Sequence, residues 1–514
     1  MKAIYLLGVD VGTSSIKTVI LDSNAKVVAE ETDFYRLINP DQVSIQVDAA
    51  DMWRAFINCV SHLVSRNNVD PTLIGAISIS SLCPGLAAFD AAGKLLVDPI
   101  IYSDRRSTQE AEIFREKVGD KRLFEITANS AMAGAMSGTS ILWIKRNLPE
   151  IYERTKYFGH INTLMAQKLC GNFAIDHSNA SYTLLYETVD RGIWSEELCE
   201  KVGIDIEKLP PLHKSTDVVG TLINQELLDL GLLPDTKIVI GGGDTACATF
   251  AAGVVKQWDV CESVGTSDVL TVAVEKPLFS PKFINRRHVV DGAWIYQGAM
   301  SHTGSSYKWM YDNFYQDFQT IASGSGKKGM LMMNEDAAKA APGADGLVFL
   351  PYMMGERSPV WDAYARGEFF GLSLKTTRRE MNRAVLEGCA YGLRQMFDIC
   401  EELTGEKITH FSSIGGGAKS KVWAQIKADI TGRDITVLDM SDMAPVGAAL
   451  LAGVGAGVFK DVYEASAKVE KAVYTKIKHS DADKEVYDRR YQVYTGLYPR
   501  LKDLYRVNLG IKEN

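Results

Sequence analysis

Several features that would define other classes of protein are missing from this chain. No apolar run is long enough to cross a bilayer. The start, Met1-Lys2-Ala3-Ile4, passes straight into a strand-like pattern, so no leader peptide is expected. The eight cysteines are scattered without a Cys-x-x-Cys pair, which excludes a thiolate zinc framework and points to reduced thiols in a cytoplasm. The eight histidines are equally dispersed, so a metal site built wholly from protein ligands is not expected. A net charge of −8 leaves no basic stripe for nucleic acid. The densest basic clusters of the first 300 residues, Arg105-Arg106 and Arg286-Arg287-His288, are short, and the second reads as solvated surface. Two nucleotide signatures are absent as well. No Gly-x-x-x-x-Gly-Lys-Ser/Thr occurs, and no Gly-x-Gly-x-x-Gly follows the first strand. The run Gly453-Val454-Gly455-Ala456-Gly457 superficially resembles a dinucleotide turn, but reads as close helix packing and a helix end.

What is present is an ordinary globular composition, 46% apolar and 23% charged, in 514 residues, too many for one core. Strand patterns over 4–11, 16–22, 26–31 and 75–80 alternate with helical ones. One helix carries Trp53, Phe56, Val60 and Leu63; others cover 139–147 and 162–169. Strands interleaved with helices imply an α/β fold. Two segments recur. Val11-Gly12-Thr13-Ser14 returns as Val264-Gly265-Thr266-Ser267, 253 residues later, each time between two strand-like runs. Gly241-Gly242-Gly243-Asp244 returns as Gly415-Gly416-Gly417-Ala418, each time after a strand and before a helix. Two matches in the same order predict two domains of common descent, residues 1–254 and 255–514. The stretch 322–329 is rich in Gly and Ser and reads as a flexible loop. Tyr487, Tyr491, Tyr494 and Tyr498 stand at helical spacing on an amphipathic closing helix.

The recurring hairpins carry chemistry. Glycine lets the chain approach an anion, and successive backbone N–H groups make an anion-binding concavity. A single Gly-Thr-Ser reads as nothing more than a turn. Two of them, Gly12-Thr13-Ser14 and Gly265-Thr266-Ser267, could grip the β- and γ-phosphates of a nucleotide from opposite sides. Asp10 lies inside an apolar strand two residues before the first turn, where a carboxylate needs a cation; Mg²⁺ held through water beside the phosphates supplies one. The glycine loops differ in their last residue. Asp244 suits a helix cap, or equally a base that takes the proton of an acceptor hydroxyl beside Thr245, whereas the uncharged Gly415-Gly416-Gly417-Ala418 loop can lie flat beneath a base or ribose.

These residues resemble the FGGY carbohydrate kinases, of the actin-like ATPase superfamily. The most specific match is Gly367-Glu368-Phe369-Phe370-Gly371-Leu372 followed, after seven intervening residues, by Glu380-Met381-Asn382-Arg383-Ala384-Val385-Leu386-Glu387. The run Phe349-Leu350-Pro351-Tyr352-Met353-Met354-Gly355-Glu356-Arg357-Ser358-Pro359 resembles the xylulokinase branch. The resemblance covers essentially the whole chain. It implies two related ribonuclease H-like domains flanking an ATP cleft, the first holding sugar and base, the second adenosine. It further implies Asp244 as base, Asp10 as the magnesium-associated carboxylate, Thr13 and Thr266 as phosphate-loop hydroxyls and Gly304 as a phosphate neighbour. Asp104 corresponds to a sugar-facing carboxylate. A homodimer is the family's common habit. Three positions depart from its patterns: Leu82-Cys83 stands where xylulokinases usually carry Met-His, the Arg-Glu pair of glycerol kinases is missing there too, and Ser140 replaces a signature lysine.

The expectation is therefore a cytoplasmic kinase using Mg-ATP to phosphorylate a ketose or polyol, with D-xylulose as the default. Arg105 and Arg106 raise a sugar acid such as gluconate as the alternative, although Arg106 can equally brace Asp104. Residues 82–85, 102–106 and 134–140 are expected around the sugar. An ATP-driven conformational protein, or a sugar sensor with little turnover, is the reading of a different class.

Overall fold

Two open sheets, each with helices against it, account for most of the buried apolar residues. The computed structural model describes residues 4–67, 69–325, 328–439 and 443–510. The first sheet contains β1 (Tyr5–Val11), β2 (Ser15–Leu21), β3 (Val27–Phe34), β4 (Ile74–Ser81), β5 (Val218–Thr221) and β6 (Lys237–Gly243), in the order β5-β6-β4-β1-β2-β3. The second contains β7 (Val260–Val264), β8 (Asp268–Val274), β9 (Ile284–Arg287), β10 (Trp294–Met300), β11 (His410–Ile414), β12 (Asp434–Leu438) and β13 (Val473–Ile477), in the order β9-β10-β8-β7-β11-β12-β13. Strands covered on both faces read as near-continuous apolar runs, and β1 and β4 are buried along almost their whole length.

Five strands in each sheet share one plan. In the first, β3-β2-β1 are antiparallel and β1-β4-β6 parallel. In the second, β10-β8-β7 are antiparallel and β7-β11-β12 parallel. The Val-Gly-Thr-Ser repeat thus coincides with a repeat of architecture, since both hairpins, β1–β2 and β7–β8, hold the same place. The glycine-loop repeat does not. Gly241-Gly242-Gly243-Asp244 closes β6, the outermost strand of that plan, whereas Gly415-Gly416-Gly417-Ala418 follows β11, the counterpart of β4. Steric need accounts for the likeness instead. Gly241 and Gly415 both have positive φ (70° and 96°), and a Cβ would stand 1.9 Å from the Ile79 oxygen in one case and 2.5 Å from the Val264 oxygen in the other. Each lies where the chain leans on the neighbouring inner strand, and glycine alone fits there.

Ten helices matter for the site. They are α1 (Ala49–Ser65), α2 (Ser137–Asn147), α3 (Ile161–Cys170), α4 (Asp244–Ala251), α5 (Thr303–Phe314), α6 (Gln316–Ser325), α7 (Arg378–Thr404), α8 (Lys421–Thr431), α9 (Met443–Ala456) and α10 (Lys484–Asn508). Trp53, Phe56, Val60 and Leu63 form the buried face of α1, as their spacing predicts. The loop expected over 322–329 is corrected in part, because α6 runs on to Ser325 with the Ser323 hydroxyl bonded to the Thr320 carbonyl at 2.8 Å. Residues 326–327 of that loop, like residues 1–3, lie outside the described residues. On α10 Tyr487 and Tyr494 are buried, as a closing helix requires.

The two sheets meet through α4 and α9. Helix α9 follows β12 of the second sheet yet lies on β1, β4 and β6 of the first. Small residues permit this approach: a Cβ on Gly8 would stand 1.9 Å from the Pro445 oxygen, and one on Gly447 would stand 2.0 Å from the Cys247 oxygen. The glycines at the end of α9 serve packing too. A Cβ on Gly453 would meet the Phe459 ring at 2.4 Å, and Gly457 ends the helix with φ 78°.

Two histidines are enclosed where elements join. His160 caps α3 with Nδ1 toward the Asn179 amide oxygen (3.1 Å) and Nε2 toward the Ser137 hydroxyl (2.8 Å). His288 donates from Nε2 to the Val254 carbonyl at 2.8 Å. Burial pushes both down to about 4. Between about 6.5 and 4 the unfolded chain therefore binds protons that the native one refuses. The stability these rings contribute is complete above the unfolded value and is lost as pH falls, by up to about 3 kcal/mol for each ring. Melting temperature should fall from pH 7 to pH 5, and His288→Gln should flatten part of that slope; an unchanged slope in the variant would contradict the assignment.

Candidate active site

The strand register brings the chemistry-bearing residues to one edge. Val11 pairs with Ser81 across β1 and β4, and Gly243 pairs with the same Ser81 across β6 and β4. The Gly12 turn, Cys83 and Asp244 consequently emerge side by side at the carboxyl ends of three adjacent parallel strands, where open α/β sheets bind ligands. A cavity of about 1580 Å³ opens there, and Thr13, Cys83, Arg105, Asp244 and Thr245 all line it. Gly265 and Gly415 occupy the corresponding ends of β7 and β11 in the second sheet, where Ser263 pairs with Ile414.

Asp244 is the first residue of α4, and the residue before it, Gly243, offers no side-chain cap. Its Oδ1 accepts the Thr245 backbone N–H at 2.6 Å and the Thr245 hydroxyl at 3.2 Å. Burial pushes its carboxyl above the ordinary range, while the Arg286 guanidinium and the Thr245 bonds pull the other way. A carboxylate lifted in this manner is a better proton acceptor near neutral pH, provided it remains charged. The loop that presents it is held from behind. Gly243 N–H donates to the Ser178 hydroxyl at 3.0 Å, and the fully buried Asp176 accepts from Ser178 N–H (2.7 Å), Asn162 (3.0 Å) and Asn179 (2.6 Å). Sequence reasoning missed this 176–179 support, although four polar residues in a row amid apolar ones were a visible signal.

The phosphate-type residues form two groups. In the first, Gly12 N–H closes the turn onto the Ser15 carbonyl at 3.0 Å, and the Tyr35 hydroxyl donates to the Gly12 carbonyl. Ser14 is exposed at the tip, and Thr13 Oγ1 lies 3.3 Å from the Tyr102 hydroxyl, which belongs to the cavity wall. Asp10 sits below, its Oδ1 accepting from Ser80 Oγ at 2.7 Å and its Oδ2 within 3.9 Å of where a Gly12 Cβ would stand. In the second group, Gly265 N–H bonds the Ser267 carbonyl at 2.8 Å and Ser305 N–H bonds the Thr266 carbonyl at 3.1 Å. A Cβ on Gly304 would stand 1.9 Å from the Gly265 oxygen, so the start of α5 lies directly on this hairpin. The 415–418 loop is packed on the same unit, for a Gly417 Cβ would stand 2.5 Å from Val264 Cγ1; Gly416 is open around its Cα, and Ala418 is buried. Lys427 on α8 ties the unit together by pairing with Glu262 and, at 2.9 Å, with Asp268, on either side of the hairpin. Of these phosphate-type residues only Thr13 lines the cavity beside Asp244.

Not every expected acceptor residue reaches that cavity. Asp104 is 0% exposed, takes the Ile45 N–H at 2.6 Å and is forked by Arg106 at 2.9 Å. Arg106 is thereby the brace of Asp104, and it spends another N–H on Gln46. Arg105 is in the wall, with Nη1 donating to the carbonyls of Tyr102, Asp104 and Ala133. Of residues 134–140 only Ala135 lines the cavity; Ser137, Thr139 and Ser140 are buried in the first turn of α2. Cys83 is present as a neutral thiol, since burial pushes it well up, with Sγ 3.9 Å from His160 Nδ1. The largest correction concerns the cluster at 286–288. Arg286 is 1% exposed and His288 3%, because β9 is covered by the first half of the chain. Tyr182, Gln297 and Arg357 also belong to the wall and were not singled out from sequence.

Comparison with known proteins agrees with this arrangement. The family model for the N-terminal domain of the FGGY family of carbohydrate kinases matches residues 5–251, and that for its C-terminal domain matches residues 261–456. The chain is 30% identical over 518 aligned residues to a xylulose kinase of Bacillus subtilis (strain 168), covering 99% of this chain and 100% of the relative. It is 28% identical over 483 residues to a gluconokinase of the same organism, covering 94% and 93%. Its fold matches the crystal structure of a xylulose kinase from Rhodospirillum rubrum with a TM-score of 0.88 at 25% identity, over 98% of this chain and 100% of the other.

Proposed function

The chain belongs to the FGGY family of carbohydrate kinases and is an ATP-dependent sugar phosphotransferase, and on that premise we propose that its acceptor is D-xylulose or a related ketose or polyol, with Asp244 as general base. The observation that carries this reading is that Asp244 and the hairpin residue Thr13 wall one cavity, so an acceptor hydroxyl and a terminal phosphate can share it. In the proposed reaction the hydroxyl gives its proton to the Asp244 carboxylate as its oxygen bonds to the γ-phosphorus and the bond to ADP breaks. Residues 1–254 hold the sugar and the base in this proposal, and residues 255–514 hold the nucleotide, with Gly265, Thr266 and Gly304 on the phosphates and the 415–418 loop beneath adenosine.

Magnesium belongs to the same proposal. One carboxylate beside a phosphate turn, Asp10 with Oδ2 on the Gly12 side, fits an ion that keeps most of its waters. Bound there, Mg²⁺ would neutralise charge on the phosphates. Asp10 and the N–H groups of the two hairpins then serve to fix where those phosphates lie.

The aldonate alternative loses part of its ground, since the Arg106 fork is committed to Asp104 and Gln46; the gluconokinase relative keeps it in the comparison. A coupled assay of ADP release over pentuloses, polyols and aldonates decides between them. D-xylulose should give the highest kcat/KM. A preference for gluconate would replace the acceptor but keep the reaction, and no stimulation by any sugar would remove the kinase reading.

A further inference from the structure

Arg286 is a buried cation without an anion in contact. It is 1% exposed, no carboxylate lies within ion-pair distance among the described residues, and its Nε and Nη2 find no hydrogen-bond partner there. A guanidinium in this state is costly, and natural structures seldom keep one without a use. Its surroundings say what the use is. The guanidinium lies 5.2 Å above the Tyr182 ring, and its Nη1 is 3.3 Å from where a Cβ on Gly243 would stand, directly beside Asp244. The strand that carries it is bound to the first half of the chain on either side. Asn285 exchanges bonds with Asn129 (3.1 and 2.7 Å), and Arg287 bonds Ser181 Oγ at 3.0 Å and the Thr188 carbonyl at 3.0 Å. Arg286 is thus delivered from the second sheet to the base of the first and held there.

We infer that Arg286 is the positioning residue that keeps the Asp244 carboxylate charged and ready to accept the acceptor's proton inside an enclosed site. The inference rests on the reading of Asp244 as base. The other groups around Asp244 cannot do this. Its own helix offers Thr245 and the thiol of Cys247; β4 leads to the thiol of Cys83; the 176–182 segment brings Asp176 and Tyr182; β1 brings Asp10. Apart from Arg286 these are neutral or negative. Of the other cations on the cavity wall, Arg105 spends Nη1 on three carbonyls and Arg357 bonds Ser301 Oγ at 3.1 Å. His177 is bonded to the Tyr186 hydroxyl and held below its ordinary value by burial. Burial therefore drives Asp244 toward the protonated form.

The test is the pH profile of kcat/KM for Arg286→Met and Arg286→Lys, with the best sugar of the acceptor panel. Without the cation the acid limb should move to higher pH by about a unit or more, so that kcat/KM falls about tenfold on the acid side and recovers at high pH. Arg286→Lys should restore most of the wild-type position. A melting curve on both variants separates the limb shift from a loss of fold, which would lower activity at every pH. Glu356, whose carboxyl burial lifts to about 7, could set a limb of its own, but that limb would not respond to Arg286. A uniform loss of activity with the limb unmoved, or a limb that moves equally in both variants, would overturn the inference and leave Asp244 as base. Wild-type turnover in Asp244→Asn would instead overturn the base reading and this inference with it.

Discussion

Asp244→Asn should reduce turnover by roughly 10²–10⁴-fold, the range for a positioned acid–base group, while leaving ADP affinity within about twofold. Nearly the whole loss should appear in kcat, because the amide keeps the size of the side chain and can still bond Thr245, but cannot take a proton. The residues that the proposal sets on adenosine and the second hairpin, Gly265, Thr266 and the 415–418 loop, are not in the wall of the cavity that Asp244 lines, so the substitution leaves their packing as it is. The variant should also be at least as stable as wild type. A carboxyl whose folded value lies above its unfolded one disfavours folding once it ionises, and that cost disappears with the amide. A coupled assay, ADP calorimetry and a melting curve on the alkaline side of neutrality check the three statements. Turnover within about tenfold of wild type would exclude Asp244 as the base.

Gly304→Val is expected to act on the other substrate. A Cβ at this position would stand 1.9 Å from the Gly265 carbonyl oxygen and 3.4 Å from Thr266 Cα, atoms of backbone that cannot swing aside. Either the start of α5 or the hairpin must shift by about an ångström or more, and the Ser305–Thr266 bond (3.1 Å) goes with it. Misplacement on that scale costs on the order of 10²-fold in rate when it falls on a reacting group. ADP binding should weaken at least about tenfold and kcat should fall about a hundredfold, with the acceptor KM little changed. Unaltered ADP affinity in a folded Gly304→Val protein would separate α5 from the phosphate site.

Both predictions rest on residues that could be read from the chain, yet on reasons that could not. Asp244 was singled out through the contrast between two glycine loops, and the strand order shows that those loops are not counterparts. Its case now rests on the cavity and on the strand ends that place it beside Cys83 and the Gly12 turn. Asp104 was expected to face the sugar from the family resemblance, but its carboxylate is turned inward onto Ile45 and Arg106. Charge in a short run likewise suggested a wet surface at 286–288, where the structure holds a buried guanidinium.

Residue order settles the local pieces: the two Gly-Thr-Ser hairpins, the α/β alternation, the buried face of α1, the helix end at Gly457 and the family to which they belong. These depend on backbone sterics and on periodicity within a few residues, which are written in the succession of side chains. The assembled fold settles which strands are neighbours, that α9 crosses onto the first sheet, that the 176–179 segment holds Gly243 beside Asp244 and that Arg286 of the other half lies against the same glycine. Those contacts join residues far apart along the chain, from Gly243 with Arg286 to Gly8 with Pro445. Burial at such places belongs to two surfaces meeting, and a run of residues on one of them carries no mark of the other.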